Sequence, residues 1–371
     1  MRASLSGLHV LLTTEAAGGL WTYALDLAAG LAERGVSTTL AVLGPGPDPD
    51  QTACAEAIAG CRLVVTGMTV DRTAPDSTAL RDAADAIAAL AWRLRADIAH
   101  LHDPALIAGG GIPVPTVVTC HGCLPTWWST VEEIPLASDR AWQRDLAAEG
   151  LRAADILTAP THAFAELTAA AYGLDAPPLV VRHGRPAAGP VPPCQGLPLV
   201  VTAGRLWDRG RNLAALDRVA DALPIPVQAA GSLEGPKGER VALNSIRPLG
   251  PIPTADLAAR LEGRPIFASL ARYEPFGSAV LEAAQAGCAL VLSDIPTFRE
   301  LWEDAAILVP PDDPGAAERA ITGLLADRDL RRRSGEAARA RSEQYGLEAA
   351  LDGIAAIYAT LGARRATGVA A

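Results

Sequence analysis

Lysine is almost missing from this chain: Lys237 is the single one among 32 basic residues. Arginine therefore stands wherever a fixed positive charge is needed, and basic sites have to be read through it. Aromatic residues are scarce as well, at 4%, so any ring platform is conspicuous. An excess of positive charge is also lacking. The formal net charge is −10 and the pI about 5.1, which argues against holding nucleic acid or an anionic membrane by bulk charge. Peripheral membrane contact stays open. No run of 18 apolar residues occurs, and the start MRASLSGLHVLLTTE lacks the charged-then-apolar layout of a secretory signal. The expectation is a soluble, cytoplasmic protein without a transmembrane segment.

Six cysteines in 371 residues make no disulfide framework. Cys120-His121-Gly122-Cys123 has the C-x-x-C spacing of zinc or redox chemistry. A second C-x-x-C is absent, so a structural zinc would need distant ligands. Neither metal nor redox use is the favoured reading. Cys54, Cys61, Cys194 and Cys288 read as small buried apolar residues. Two D-x-D triplets, which could hold a metal, are equally uninformative. Asp48-Pro49-Asp50 sits in a turn-rich Pro/Gly run and reads as solvated loop, and Asp327-Arg328-Asp329 lies on a charged helix. G-x-G-x-x-G is missing, which removes the dinucleotide fingerprint. No repeat of short period appears.

What is present is a chain long enough for two domains, half of it apolar. Strands are expected at Leu8–Thr13, Val36–Leu43, Arg62–Thr66, Ile98–His102, Thr116–Thr119, Ala154–Ala159 and Leu179–Val181. Helical spacing is evident over Leu20–Arg34 and Ser77–Arg95. A stretch rich in Pro and Gly follows, and then the pattern restarts. The second set of strands is Leu199–Ala203, Val227–Ala230, Ile266–Leu270, Ala289–Leu292 and Ile307–Val309. Charged helices Pro314–Asp327 and Asp329–Gln344 precede a final helix, Leu347–Leu361, and the last ten residues read as disordered. Such alternation predicts an α/β protein with parallel, doubly wound sheets. The expected boundaries are 1–186, a linker at 187–198, and 199–371.

The most informative stretch runs from Pro265 to Gly287. An apolar strand leads through the loop Ala271–Gly277, carrying Glu274, into a helix with Ser278 as its expected N-cap and Gly287 just past its end. Glu282 lies in the first full turn of that helix. A strand–loop–helix unit brings strand end and helix start to one crevice, where such sheets bind ligands. Spacing alone is compatible with one solvated loop glutamate and one surface helix glutamate. The embedding says more. Tyr273-Glu274-Pro275-Phe276-Gly277-Ser278-Ala279-Val280-Leu281-Glu282-Ala283-Ala284 resembles the E-x7-E signature of retaining glycosyltransferases of the GT-B fold, family 4 type. The similarity continues through Gly287-Cys288-Ala289-Leu290-Val291-Leu292-Ser293-Asp294-Ile295-Pro296 and spans nearly the whole chain.

That resemblance implies two Rossmann-like domains facing a cleft, with a nucleotide-diphosphate sugar held mainly by the second. In Gly204-Arg205-Leu206-Trp207-Asp208-Arg209-Gly210-Arg211-Asn212 the family uses an Arg and a Lys to hold the donor diphosphate. Arg205 matches the first; Arg211 is the choice for the second, with Arg209 its rival. Arg for Lys keeps the charge but replaces a point donor by a planar fork. Phe276, Gly277 and Ser278 are implied to lie along the donor, Glu282 to hold its ribose, and Glu274 to meet the transferred sugar. Leu249-Gly250-Pro251-Ile252 is implied to line the base pocket. Gly18 and Gly19, ahead of the first helix, form a plausible phosphate cradle. His121 stands where a strand runs out and resembles the family's histidine near the reaction centre; His100 and His102, two residues apart, share one face. The family often has Asn-Gly where this chain has His183-Gly184, which leaves His183 without an assigned role. Trp127 and Trp128 are either helix packing or an acceptor platform. No metal or other cofactor is implied. An epimerase or phosphorylase using the same donor, or an idle binding protein, are the competing classes.

Overall fold

The structure, a computed structural model, describes residues 5–109, 111–187, 189 and 197–366. Most of the expected linker 187–198 lies outside the described residues. The chain divides into two compact units. The first takes the described parts of Met1–Ser129, Glu133–Gly184 and Leu347–Ala371; the second takes those of Thr130–Glu132 and Arg185–Gly346.

In the first unit the strands are β1 (His9–Glu15), β2 (Ser37–Leu43), β3 (Cys61–Val65), β4 (Ile98–Leu101), β5 (Thr116–Thr119), β6 (Ile156–Ala159) and β7 (Leu179–Val180). They form one sheet in the order β3-β2-β1-β4-β5-β6-β7, every pairing parallel. The connecting helices are α1 (Gly18–Glu33), α2 (Pro49–Glu56), α3 (Ser77–Leu94), α4 (Leu124–Val131), α5 (Ala141–Ala153) and α6 (His162–Tyr172). Val10, Leu11 and Leu12 are all fully buried, the continuous apolar run of a strand covered on both faces.

The second unit repeats the plan. Its strands are β8 (Val200–Ala203), β9 (Val227–Ala230), β10 (Arg247–Gly250), β11 (Ile266–Ser269), β12 (Leu290–Ser293) and β13 (Ile307–Val309). Their order is β10-β9-β8-β11-β12-β13, again all parallel. Around them lie α7 (Leu213–Ala222), α8 (Thr254–Glu262), α9 (Ser278–Gln285), α10 (Pro296–Trp302), α11 (Pro314–Ala326) and α12 (Arg328–Ser342). Each sheet thus reverses its winding once, between β1 and β4 and between β8 and β11. Open α/β sheets bind ligands outside the carboxyl ends of the strands at that reversal.

The last helix, α13 (Leu347–Ala366), belongs to the first unit. Leu351, Ile354, Ile357, Tyr358 and Leu361 share a core with Val10, Leu12, Ala24, Leu27 and Leu31. Each fully buried Leu or Ile contributes roughly 1.5–3 kcal/mol. Arg34 fixes the register through Glu348 at 2.8 Å and Asp352 at 2.9 Å.

Several expectations are corrected. Asp48 opens α2 with a reciprocal cap, its Oδ1 accepting from Gln51 N–H and its own N–H donating to Gln51 Oε1. Asp327 caps α12 by accepting from Leu330 N–H at 2.8 Å. Both D-x-D triplets are helix starts, because a short acidic side chain satisfies an orphan amide. β10 was missed: Arg247-Pro248-Leu249-Gly250 has no apolar run, and its proline is tolerated on an edge strand. Residues 362–366, read as disordered, continue α13, while 367–371 lie outside the described residues. Cys54 is exposed and Cys61 half-buried; Cys288 is buried, and Cys194 lies outside the described residues.

Candidate functional site

The second unit gathers its charged groups where β8 and β11 end. β8 runs into Gly204 and Arg205, then into a 3-10 turn, Arg209–Arg211. Asp208 starts that turn by accepting from Gly210 N–H at 2.8 Å. Asn212 follows in a left-handed conformation, φ +51°. Its Nδ2 donates to Leu270 O at 3.0 Å and to Pro311 O at 2.8 Å. One amide therefore ties the loop after β8 to the chain following β11 and β13. Gly210 O accepts from the N–H groups of Arg272 and Tyr273, so the Arg211 and Glu274 loops are also joined through backbone.

Glu274 is 8% exposed, and its carboxylate is ion-paired with Arg211 Nη1. An unpaired buried carboxylate would cost several kcal/mol, so the guanidinium is what permits it. The Glu274 carbonyl accepts from Thr297 Oγ1 at 2.6 Å, which holds the loop from α10. Burial and then the Arg205 guanidinium lower Arg211 to about 10. It stays a cation at neutral pH. Arg205, half exposed, lies 3.6 Å from Asp208. Arg205 and Arg211 thus converge at the end of β8. Arg209 does not join them: it is exposed and grips both oxygens of Glu132, in the short piece Thr130–Glu132 of the same unit, at 2.6 and 2.8 Å.

Gly277 has φ +91°, and a Cβ there would stand 3.1 Å from the Phe298 ring and 3.4 Å from Glu274 Cγ. Only glycine fits. It occupies the N-cap of α9, and Ser278, expected as cap, is the first helical residue. No side chain caps α9, which leaves the first-turn N–H groups to a ligand. Gly287 closes the helix with φ +80°, as the motif requires. The Phe276 ring is buried edge-on to Tyr345 at 6.1 Å, so the ring itself is closed to a ligand. Glu282 is paired with Arg185 Nη2 at 3.1 Å. The Arg185 N–H donates to Tyr345 O at 3.2 Å. Sequence reading missed Arg185, which lies in a Pro/Gly-rich stretch with no motif around it. Of the expected base-pocket segment, Gly250 ends β10 and its carbonyl accepts from Gly231 N–H at 2.8 Å.

In the first unit α1 starts at Gly18, two residues earlier than expected, so Gly18 and Gly19 form its first turn. Both are exposed, φ at Gly18 is +59°, and no side chain caps the helix. Beyond the ends of β4 and β5 the structure assembles a ring cluster that the sequence only hinted at. His121 Nδ1 lies 3.0 Å from His183 Nε2, and Tyr23 of α1 packs against His102, His121 and His183 at 4.6–5.4 Å. His100 is 4.9 Å from His102, on the same face. Its Nδ1 meets Tyr358 OH at 2.8 Å and its Nε2 meets Thr119 Oγ1 at 2.6 Å. His183, unassigned from sequence, is the partner that orients His121.

Burial makes this cluster neutral. It lowers His183 to about 3, and burial followed by His121 lowers His100 to about 3. His102 and His121 fall well below the ordinary value for the same first reason, reinforced by neighbouring imidazoles. The unfolded chain therefore binds more protons once pH drops below about 6.5. Stability is fully present above that value and should be lost progressively toward about pH 3. Thermal unfolding from pH 7.5 to 4 should show the midpoint falling. His102→Phe should weaken the fall without destabilising at pH 7.5, because both ring nitrogens of His102 are buried without a hydrogen-bond partner. An unchanged slope in that variant would contradict the assignment.

α4 carries Trp127 and Trp128, half-buried and edge-on at 6.2 Å, and Trp128 Nε1 donates to Pro135 O at 3.2 Å. Trp142, by contrast, packs on the first unit's core. Among the described residues no group of three or more His, Cys, Asp or Glu is placed to hold a metal ion. No helix among them is long and apolar enough to cross a membrane.

Two Rossmann-like units, wound 3-2-1-4-5-6-7 and 3-2-1-4-5-6, the second bearing a cationic pair beside Glu274, define a GT-B glycosyltransferase. Family models agree: Glycosyltransferase Family 4 matches residues 17–185, and Glycosyl transferases group 1 matches residues 238–341. The chain belongs to these glycosyltransferases. Among curated proteins no sequence matches it. Solved structures share the fold across the chain. Sucrose-phosphate synthase from Thermosynechococcus elongatus superposes with a TM-score of 0.78 at 19% identity, covering 96% of this chain and 99% of that one. Anabaena Alr3699/HepE in complex with UDP-glucose gives 0.72 at 16% identity over 95% and 100%. WaaG, a glycosyltransferase involved in lipopolysaccharide biosynthesis, gives 0.70 at 14% identity over 95% and 99%.

Proposed function

We propose that the protein transfers a sugar from a nucleotide-diphosphate sugar, with retention of anomeric configuration and without a metal ion, to a glycan, lipid or small-molecule acceptor. The observation that carries this reading is the convergence of Arg205 and Arg211 at the end of β8, with Glu274 paired to Arg211. Departure of the diphosphate concentrates negative charge on its oxygens, and two preorganised guanidinium groups stabilise it where a metal would otherwise serve. The uncapped first turn of α9 adds fixed positive potential. Glu282 suits two vicinal ribose hydroxyls, and Arg185 aims its carboxylate. Glu274 meets the transferred sugar, where positive charge grows at the anomeric carbon. In the first unit His121, held by His183, and the α1 glycines Gly18 and Gly19 are the residues proposed to serve the transfer. A retaining hydrolase fits less well, since water-only cleavage of a neutral glycoside has no use for the arginine pair.

Calorimetric titration with UDP, GDP, ADP and NAD in EDTA tests the reading. HepE, solved with UDP-glucose, makes UDP the first probe. One nucleoside diphosphate should bind, and NAD should not. Arg205→Ala and Arg211→Ala should each weaken it by roughly 1.5–3 kcal/mol, the scale of a charged hydrogen bond. Arg209→Ala should change little. A loss confined to Arg209→Ala, or binding that needs manganese, would contradict the assignment. Trp127 and Trp128 are proposed as the acceptor side. Trp127→Ala should raise the acceptor KM with donor affinity unchanged; a lowered melting temperature alone returns it to packing.

A further inference from the structure

β5 ends one residue before Cys120, and α4 begins one residue after Cys123. The C-x-x-C therefore links a strand end to a helix start inside a βα unit, the placement of thiol pairs that cycle between dithiol and disulfide. We propose that Cys120 and Cys123 form a reversible redox pair, closed to a disulfide by a hydroperoxide, and that closure resets the loop bearing His121. Sequence spacing alone did not favour redox use; the geometry does.

Cys120 is 1% exposed, and its nearest backbone contact is Gly122 O at 3.9 Å. Cys123 is half-buried, with Sγ 2.9 Å from Thr126 Oγ1. The first turn of α4 closes over it, since Thr126 Oγ1 and Trp127 N–H both donate to Cys123 O. This environment divides the roles. Burial pushes the Cys123 thiol up, but hydrogen bonds from Cys120 and Thr126 outweigh it and bring it below the ordinary range. Cys120 is held up by its hydrogen bond to Cys123 and by burial. Cys123 is thus the reactive thiolate, and Cys120 the protonated partner that resolves it.

The chemistry balances with one peroxide per pair. Cys123 thiolate attacks a peroxide oxygen: an S–O bond forms, the O–O bond breaks, and the departing hydroxide takes up a proton as water. Cys120 sulfur then attacks Cys123 sulfur: the S–S bond forms, the S–O bond breaks, and a second water leaves with the Cys120 proton. Two thiols lose two electrons in all, and hydrogen peroxide becomes two waters. Closure brings the sulfurs to about 2.05 Å. His121 and Gly122 lie inside the closed loop, so the 3.0 Å contact of His121 with His183 has to change.

The test uses the full chain, reduced and then treated with stoichiometric hydrogen peroxide. Trypsin releases residues 96–140, which hold Cys120 and Cys123 and no other cysteine. That peptide should lose the mass of two hydrogens and regain it with dithiothreitol. The imidazole NMR signals of His121 and His183 should shift together. Sugar transfer should fall roughly 10²-fold, the scale of an ångström-sized misplacement. The activity arm rests on the proposed role of His121, whereas the peptide and imidazole arms do not. A chain that transfers nothing even when reduced contradicts that function and leaves the other two arms to decide the redox pair. In Cys123→Ser the peptide mass should stay constant under peroxide. If that variant does not fold, the wild-type peptide decides. A peptide that keeps both thiols, a disulfide formed instead through Cys54, or closure with unmoved imidazole signals would overturn the proposal.

Discussion

Glu274→Gln should bind the donor nucleotide as tightly as the wild type, or more tightly, and turn over roughly 10²-fold or more slowly, the scale of one lost transition-state contact. The sign of the binding effect follows from the structure. Glu274 neutralises Arg211, so removing its charge leaves that guanidinium available to the diphosphate. Glutamine is the right probe because it keeps shape and hydrogen-bonding capacity where alanine would open a hole beside Arg211 and Gly277. The rate effect follows from the proposed role: charge grows at the anomeric carbon, and the Glu274 carboxylate, on the loop at the end of β11, would meet it only as the reaction proceeds. Glu282→Gln should behave otherwise. Its carboxylate, aimed by Arg185 at 3.1 Å, would hold ribose, which does not change during transfer. Loss of such uniform binding raises KM and leaves kcat nearly intact. Steady-state kinetics with one donor separates the two. A slow Glu282→Gln beside a fast, weak-binding Glu274→Gln would show the pair assigned backwards.

The second large effect is expected at a residue with no side chain at all. Gly231 follows β9 with φ +141°, and a Cβ there would lie 1.9 Å from Gly204 O. Backbone cannot rotate out of the way as a side chain can. Gly231→Ala should cost about 2–6 kcal/mol, from left-handed strain of roughly 1–3 kcal/mol and overpacking of similar size. Because the displaced residue precedes Arg205, nucleotide affinity should fall with stability. Gly323→Ala in α11 is the control: nothing lies within 4 Å of its Cβ position, and a helical Gly→Ala change should stabilise by about 0.5–1 kcal/mol. Equal melting temperatures for the two variants would contradict the close approach of Gly231 to Gly204.

The sheets were legible in the sequence because buried parallel strands are apolar on both faces. Val10-Leu11-Leu12 and Leu290-Val291-Leu292 read as strands without help. β10 was not, since an edge strand can consist of Arg, Pro, Leu and Gly. The E-x7-E stretch disclosed Glu274, Glu282 and the glycine between them, because each answers a local demand of strand end, turn or helix start. Their partners answer no local demand. Arg185 reaches Glu282 across 97 positions, Thr297 reaches back to the Glu274 carbonyl, and Asn212 ties Leu270 to Pro311. His183 is the clearest case: nothing in its neighbourhood announces that it meets His121, 62 residues away. Ser278 shows the opposite error, a good capping residue displaced because Gly277 alone fits beside Phe298.

The most direct test of retaining transfer is the anomer that the enzyme releases first. An α-linked nucleotide sugar matched to the nucleoside diphosphate that binds is incubated with the protein in EDTA. Proton NMR then follows the sugar set free by slow donor hydrolysis, before mutarotation mixes the anomers. Retention predicts that the α-anomer appears first, that EDTA does not slow it, and that Glu274→Gln releases it far more slowly. Initial release of the β-anomer, or release that stops in EDTA and returns with manganese, would contradict it.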